Sequence, residues 1–149
     1  MAEHNNDQAG HLPKTPNPGL RKLQPLIGRW RVEGPDVRGE VAFEWMEGGF
    51  FLIHRYDIVN FGNPHKGIEY SGWDDDTGTV RSRLMGTDGS RFTYTYALED
   101  GVYYYWFGEK DSPIFSRGLI SADGRSIEGR WTIPGGPGGG YDWRLTRID

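Results

Sequence analysis

After residue 27 the chain alternates between short segments of apolar and polar residues and clusters of turn-forming residues. Within the segments, apolar side chains recur at every second position, as in half-buried strands. The predicted strands are 29–33, 40–46, 50–59, 67–73, 79–85, 91–98, 102–107, 114–121, 126–133 and 141–148. The intervening EGG, DDDTG, TDGS, EDG and ADG sequences supply the glycine and aspartate residues of tight hairpins. The pattern therefore predicts a meander of about ten antiparallel strands.

An open sheet of this many strands would leave long unpaired edges, whereas closure into a barrel pairs every strand. The 149 residues suffice for one domain, and 23 glycines with an aromatic share of 14% favour strands and turns over helices. Leu20, Leu23 and Leu26 suit one or two helical turns interrupted by Pro25. We predict an all-β fold, a closed antiparallel up-and-down barrel with a short N-terminal helix, over residues 19–149.

Residues 1–18 are polar and interrupted by prolines, which predicts a disordered tail without the apolar core of a signal peptide. No later stretch approaches the length of a membrane span. A net charge of −4 argues against nucleic-acid binding by bulk charge, and the absence of cysteine excludes disulfides and thiolate metal sites. We expect a cytoplasmic protein with neither a nucleic-acid nor a membrane partner.

The alternation within strands divides the side chains into two faces. The face assigned to the lumen includes Trp30, Val32, Val41, Phe43, Leu52, His54, Tyr56, Ile68, Tyr70, Ser82, Tyr94, Tyr96, Val102, Tyr104, Trp106, Ile127, Trp131, Trp143 and Leu145. The face assigned to solvent carries Arg29, Arg31, Glu44, Arg55, Asp57, Glu69, Arg81, Arg83, Arg91, Glu128, Arg130, Asp142 and Arg144. Some aromatic residues fall on the charged face, and a bulge would invert the assignment locally.

A barrel of eight to ten strands is wide enough to hold one small ligand. The lumen face is mostly apolar and aromatic with a few polar groups, which is typical of a ligand pocket. The predicted ligand-binding residues are Phe43, His54, Tyr56, Tyr70, Tyr94, Tyr96, Tyr104, Trp106, Trp131 and Trp143. The alternative is that these side chains simply fill the interior, with the tyrosine hydroxyls bonded to internal partners or water.

His54 is the histidine on the apolar face of a predicted long strand, since His4 and His11 belong to the tail and His65 to a turn. An imidazole beside tyrosine hydroxyls is a candidate general base or hydrogen-bond donor. A buried histidine bonded to a tyrosine is the alternative. The acidic segment 74–78 is interpreted as a solvated turn rather than a metal site, and the glycine-rich segment 134–140 as a mobile loop at one barrel end.

The segment PLIGRWRVEG at 25–34 resembles the opening strand of calycin-type barrels, the group of lipocalins and fatty-acid-binding proteins. With GGFFLIHRYD and YSGWDDDTG, it is similar to the bacterial DUF1579-like family of uncharacterised function, over residues 20–148. The resemblance implies that Gly28 and Trp30 belong to the barrel closure. It also implies that Arg144 or Arg147 stacks on Trp30 as a cation–π partner.

The related nitrobindins bind haem through a histidine on the last strands, and this chain has none at 141–148. Haem is therefore a minor alternative, with His54 as its only lumen histidine, and no cofactor is expected. Fatty-acid-binding proteins clamp a carboxylate with interior arginine and tyrosine, which would assign an anionic head group to Arg147.

Three functions remain open. The first is binding of a small hydrophobic or aromatic ligand in the lumen. The second is a cofactor-free cyclase or isomerase that uses His54 with lumen tyrosines. The third is an interaction protein, such as a homodimer, because five aromatic residues face outward in this assignment: Phe51, Trp73, Tyr103, Tyr105 and Phe107.

Overall fold

The computed structural model describes residues 6–148, so residues 1–5 of the predicted tail and residue 149 lie outside the described residues. The strands are β1 (Gly28–Glu33), β2 (Val37–Trp45), β3 (Phe51–Asn60), β4 (Asn63–Asp74), β5 (Thr79–Gly86), β6 (Arg91–Glu99), β7 (Val102–Phe107), β8 (Phe115–Ile120), β9 (Ser126–Thr132) and β10 (Gly140–Ile148). One short helix, α1 (Pro18–Arg21), precedes them, and single 3₁₀ turns occupy Asn6–Gly10, Gln24–Leu26 and Pro137–Gly139.

Each strand pairs antiparallel with its neighbours in the chain, and β1 pairs with β10 to close the barrel. The predicted all-β, up-and-down barrel is therefore confirmed. The predicted strands lie where the structure has them, and β7 has the predicted bounds. The largest difference is at β4, which begins at Asn63 rather than at residue 67, because β3 and β4 meet in a turn of only two residues.

The two-residue turns decide which side chains face the interior. Phe61 and Gly62 connect β3 to β4 with φ of 49° and 80°, and Asp100 and Gly101 connect β6 to β7 with φ of 50° and 78°. Positive φ at both central residues defines the turn type whose twist matches paired strands. Such a turn pairs residue i with residue i+3, so inward positions change from even to odd numbers between the two strands.

This change of parity makes the sequence assignment wrong for β4 and β7. In β4, Glu69 and Ser71 are fully buried in the interior, whereas Ile68 and Tyr70 lie on the outer wall and Tyr70 is 39% exposed. The outward residues of β7 are Val102, Tyr104 and Trp106, and the inward ones are Tyr103, Tyr105 and Phe107.

The homodimer was predicted from five aromatic residues assigned to the outer face, and the structure places four of them inward. Tyr103, Tyr105 and Trp73 pack against the core. Phe107 lies inward at the open end, against Tyr94. Of the five proposed outward aromatic residues, only Phe51 remains on the outer wall.

The N-terminal segment closes one end of the barrel. The predicted helix is a single turn, α1, followed by the 3₁₀ turn that contains Pro25. Leu20, Leu23 and Leu26 from these turns are buried in the core, and the indole nitrogen of Trp30 donates to the Leu26 carbonyl at 2.8 Å. Within residues 6–148, no helix has the length and apolar character needed to cross a membrane.

Arg147, and not Arg144, is the cationic partner of Trp30. The Arg147 guanidinium lies 4.1 Å from the Trp30 ring centroid and donates to the carbonyls of Ile27, Pro25 and Gly124 at 2.6, 2.8 and 2.9 Å. Gly28 has a φ of 132°, and a Cβ there would lie 2.4 Å from Arg147 Nη1. Arg144 instead forms an exposed ion pair with Glu128 on the outer wall.

Candidate functional site

A cavity of about 310 Å³ occupies the lumen. It lies between the core residues that pack against the N-terminal turns and the opposite, open end of the barrel. Aliphatic residues of β1 and β2 form one side, and aromatic residues of β6, β7, β9 and β10 form the other. The wall comprises Val32, Val37, Val41, His54, Tyr56, Ile58, Asn60, His65, Leu84, Ser90, Phe92, Tyr94, Tyr103, Tyr105, Ser116, Trp131, Tyr141, Trp143 and Leu145. The interior is thus hollow toward the open end of the barrel and filled with side chains at the end that the N-terminal turns cover.

A buried carboxylate, that of Glu69, lies beside this cavity at the centre of a polar cluster. Glu69 is 0% exposed, and its Oε1 accepts hydrogen bonds from the hydroxyls of Tyr96 and Tyr105 at 2.5 and 3.0 Å. Oε2 accepts from Ser82 Oγ at 2.5 Å and from the Tyr105 hydroxyl at 2.9 Å. His54 Nδ1 lies 2.8 Å from Oε1. These five residues are called the Glu69 cluster below.

Strand pairing brings the cluster together. His54 on β3 lies directly opposite Glu69 on β4, and Tyr96 on β6 lies opposite Tyr105 on β7. Directly opposed residues share one face of a sheet. Ser82 on β5 faces Ser71, the next inward residue of β4 after Glu69. Five consecutive strands, β3 to β7, therefore each contribute one member of the Glu69 cluster.

The cluster is arranged to hold a negative charge away from water. Burying an unpaired carboxylate costs several kcal/mol, unless hydrogen-bond donors replace the water that it loses. Burial, and then the charge of Glu69, raises the pKa of the Tyr96 and Tyr105 hydroxyls well above the usual value. Both tyrosines therefore keep their protons and act as donors to the carboxylate.

The orientation of His54 follows from the same contact. A carboxylate only accepts hydrogen bonds, so His54 Nδ1 carries the proton that faces Glu69. The imidazole is stacked on Phe43, with ring centroids 4.3 Å apart and planes within 2°. With one nitrogen bonded to Glu69 and one face covered by Phe43, Nε2 is the polar atom left to meet an occupant of the cavity.

Aromatic rings form the far side of the cavity. Tyr94 and Tyr105 are stacked with centroids 4.4 Å apart, and Trp131 meets them edge-on at 6.4 and 5.5 Å. Burial raises the pKa of Tyr141 to about 12 and, together with the charge of Glu69, raises the pKa of Tyr94. These hydroxyls stay neutral at physiological pH, so the wall offers rings and neutral donors rather than anions.

Two glycines make room for Trp143 in the wall. A Cβ at Gly118 or Gly129 would lie 2.6 or 2.4 Å from the Trp143 ring. The indole nitrogen of Trp143 donates to Ser116 Oγ at 2.7 Å. The ring is therefore held against the backbone of β8 and β9 instead of filling the lumen.

The structure places the predicted ligand-binding residues in three locations. His54, Tyr56, Tyr94, Trp131 and Trp143 line the cavity, while Tyr96, a member of the Glu69 cluster, and Phe43, stacked on His54, lie behind its wall. Tyr70, Tyr104 and Trp106 are on the outer wall, so their assignment to the lumen is wrong. The assignment took the even-numbered positions of β4 and β7 as inward, but the two-residue turns before these strands place the odd-numbered positions inward.

Sequence reasoning missed Glu69, Tyr103, Tyr105 and Ser116, and it placed His65 in a turn, whereas His65 lies on β4 and lines the cavity. A signal for the first three was present, because the turn sequences NFGN and EDGV fix the pairing of His54 with Glu69 and of Tyr96 with Tyr105. The charge of Glu69 hid this signal, since glutamate is rarely buried.

A larger cleft of about 800 Å³ extends over the barrel wall near β6 to β8. It includes the outward residues Tyr104 and Trp106, which are stacked 4.9 Å apart, and the exposed side chains of Lys110, Asp111 and Arg117. Its charges are solvated surface groups, and the Glu69 cluster belongs to the interior. The lumen is therefore the better candidate for a functional site.

The two loops singled out in the sequence lie at opposite ends of the barrel. Asp74 Oδ2 accepts from Thr77 N and Oγ1 at 3.2 and 2.6 Å, which makes 74–78 a self-bonded turn. The glycine-rich loop joins β9 to β10 at the open end, where the Gly138 carbonyl accepts from Arg130 at 3.1 Å. Among residues 6–148, no group of three or more His, Asp or Glu side chains is placed to hold a metal ion.

These features define an up-and-down β-barrel with a hollow lumen and a buried polar cluster beside it. No protein-family model matches the chain, and no curated protein matches it. Among solved structures, the chain is similar to a de novo designed fluorescence-activating β-barrel at 17% sequence identity. That similarity covers 84% of this chain and 95% of the designed chain, with a TM-score of 0.44.

Proposed function

We propose that the protein binds one small aromatic or otherwise apolar molecule in the barrel lumen. The observation that carries the proposal is the cavity of about 310 Å³, walled by Tyr94, Tyr105, Trp131 and Trp143, with His54 as a polar group at its side. Apolar walls with a few converging polar groups are the usual composition of ligand sites.

The size of the cavity argues for an occupant other than a single water. Packed interiors have few voids larger than one water molecule, which takes roughly 30 Å³ in the liquid. Ligand pockets begin at about 300 Å³. The lumen, at about 310 Å³, is therefore suited to a small molecule of one or two fused rings rather than to a long-chain lipid.

The finer parts of the proposal come from the sequence. They are membership of the DUF1579-like calycin family, on the motifs within 20–148, and a cytoplasmic location without a cofactor. Arg147 does not support a fatty-acid-like head group, because three carbonyls and the Trp30 ring already occupy its guanidinium.

A pair of matched variants tests the proposal. We expect calorimetric titration with naphthylmethanol to show binding to the wild type and to Tyr104→Ala, and at least about tenfold weaker binding to Tyr94→Ala. Both variants remove one tyrosine ring, but Tyr94 lines the lumen and Tyr104 lies on the outer wall. Equal loss in both variants, or no binding to the wild type, would overturn the proposal.

A second candidate function is cofactor-free acid–base catalysis, and the contact between His54 and Glu69 favours it. A base held by a carboxylate at 2.8 Å, with its other nitrogen toward a bound molecule, is the arrangement that orients a catalytic histidine. A ligand recovered chemically changed from the wild type, yet unchanged from His54→Gln, would identify an enzyme. Unchanged recovery from both proteins would leave binding alone.

A further inference from the structure

We infer that the lumen prefers an aromatic ligand with a positively charged or hydrogen-bond-donating group, an organic ammonium above all, and disfavours carboxylates. The inference rests on the proposed function and concerns the chemistry of its ligand. Three features of the cavity carry it: the charge beside it, the acceptor at its side and the rings around it.

With the wall histidines His54 and His65 in their neutral form, the charge beside the cavity is that of Glu69, which is negative. The wall, as far as the structure describes it, contains no lysine or arginine, and Arg147 is committed to the closed end. Glu69 adds a carboxylate whose bonds all come from side chains of the cluster. Its field reaches the wall, since the pKa of Tyr94 is raised by burial and next by this charge. A low-dielectric interior strengthens such an interaction with a bound ion.

The acceptor at the side of the cavity is His54. Its Nδ1–H points to Glu69, and the neutral form of this imidazole presents an unprotonated Nε2. Stacking on Phe43 fixes the plane of the ring. An N–H group of the ligand satisfies this acceptor, whereas a carboxylate would face a lone pair and the nearby charge of Glu69.

The rings complete the cation site. Tyr94, Tyr105 and Trp131 meet within 4.4 to 6.4 Å of one another, so their faces and edges surround one corner of the lumen. Aromatic faces attract cations, and the attraction is larger where water is excluded. Tyr105 also donates to Glu69, which joins this corner directly to the negative charge.

Three probes of the same shape and different charge test the inference: naphthylmethylammonium, naphthylmethanol and naphthoate. Calorimetric titration of the wild-type chain at neutral pH is expected to show the ammonium binding at least about tenfold more tightly than naphthoate, with the neutral alcohol between them. Equal affinities, or tighter binding of naphthoate, would overturn the inference and indicate an imidazolium at His54. Binding of the alcohol in that case preserves the proposed function, whereas binding of none of the three overturns both.

A matched pair of variants locates the charge. Glu69→Gln is expected to shrink the preference for the ammonium to less than about threefold. Glu128→Gln removes a carboxylate from the outer wall, where it pairs with Arg144, and is expected to keep the preference. Retention of the full preference in Glu69→Gln, with a native circular-dichroism spectrum, would contradict the role of Glu69. If Glu69→Gln does not fold, the comparison of the three probes on the wild type still decides the inference.

Discussion

Glu69 depends on donors from four other strands, and the interior would not tolerate its carboxylate without them. Its two oxygens accept hydrogen bonds from three hydroxyls and contact one imidazole nitrogen. Tyr105 is the member that touches both oxygens, at 3.0 and 2.9 Å. Hydrogen bonds to a charged group contribute more to stability than those between neutral groups. Loss of one donor is therefore expected to lower the free energy of unfolding.

We predict that Tyr105→Phe lowers the free energy of unfolding by about 1.5–3 kcal/mol, because it leaves the buried carboxylate short of a donor. Urea unfolding followed by circular dichroism measures the change. Tyr104→Phe is the control, since its hydroxyl accepts from Arg117 Nε on the outer wall, and it is expected to cost less than about 0.5 kcal/mol. Similar losses in the two variants would show that the Glu69 cluster does not stabilise the fold.

At the scale of elements, the join between the first and last strands holds the barrel closed. β1 and β10 pair from Arg29 and Ile148 to Glu33 and Arg144, and the N-terminal turns cover the end of this join. Arg147 connects β10 to the N-terminal segment and to the turn between β8 and β9, because its guanidinium donates hydrogen bonds to backbone carbonyls in both. The closure therefore depends on a residue whose role differs from that of its neighbour Arg144 on the same strand.

We predict that Arg147→Ala lowers the free energy of unfolding by roughly 2–3 kcal/mol, through loss of charged hydrogen bonds and of the contact with Trp30. Arg144→Ala removes an exposed ion pair and is expected to cost less than about 1 kcal/mol. Thermal and urea unfolding of both variants measure the difference. An equal cost would mean that the closure does not depend on Arg147.

Much of the fold could be predicted at this scale, because alternation and turn residues locate strands directly. The ten strands and the turns EDG and TDGS needed no tertiary information. Which face is inward was harder, since it depends on the number of residues in each turn. Even-numbered residues face inward in β6, and continuing this pattern into β7 assigned Tyr104 and Trp106 to the lumen. The two-residue turn at 100–101 reverses the pattern, so that odd-numbered residues face inward in β7.

The buried charge could not be found from alternation alone. A glutamate between Ile68 and Tyr70 has the pattern of a solvent-facing residue, and glutamate is rarely buried without partners. Its partners come from strands far apart in the sequence, such as β4 and β7. Only the pairing of His54 with Glu69 across the turn at 61–62 indicates the inward position. The sequence therefore predicted His54 and aromatic rings of the candidate site, but it did not predict the Glu69 carboxylate.

The whole molecule concentrates neutral tyrosines around one negative charge. Burial, and next the charge of Glu69, raises the pKa of Tyr94, Tyr96, Tyr103 and Tyr105 from the usual value of 10.0. In the unfolded chain these hydroxyls would ionise near their ordinary pKa. Above that pH the unfolded state binds fewer protons than the folded state, so the free energy of unfolding falls as the pH rises.

We predict that the contribution of these tyrosines to stability is complete below about pH 10 and is lost progressively above it, with up to about 1.4 kcal/mol per pH unit for each buried hydroxyl. An alkaline titration that follows tyrosinate absorbance and circular dichroism together measures this. Ionisation of the buried tyrosines is expected to coincide with loss of the native spectrum. Full ionisation with the native spectrum intact would contradict their burial.

Native mass spectrometry in the presence of naphthylmethanol tests the claim of a hollow, ligand-binding lumen most directly. The neutral alcohol makes the result independent of the charge preference inferred above. The proposed function predicts one bound molecule per chain, which is lost on denaturation and is much reduced in Tyr94→Ala but not in Tyr104→Ala. The mass of the chain alone at saturating probe, or several molecules bound equally to all three proteins, would contradict it.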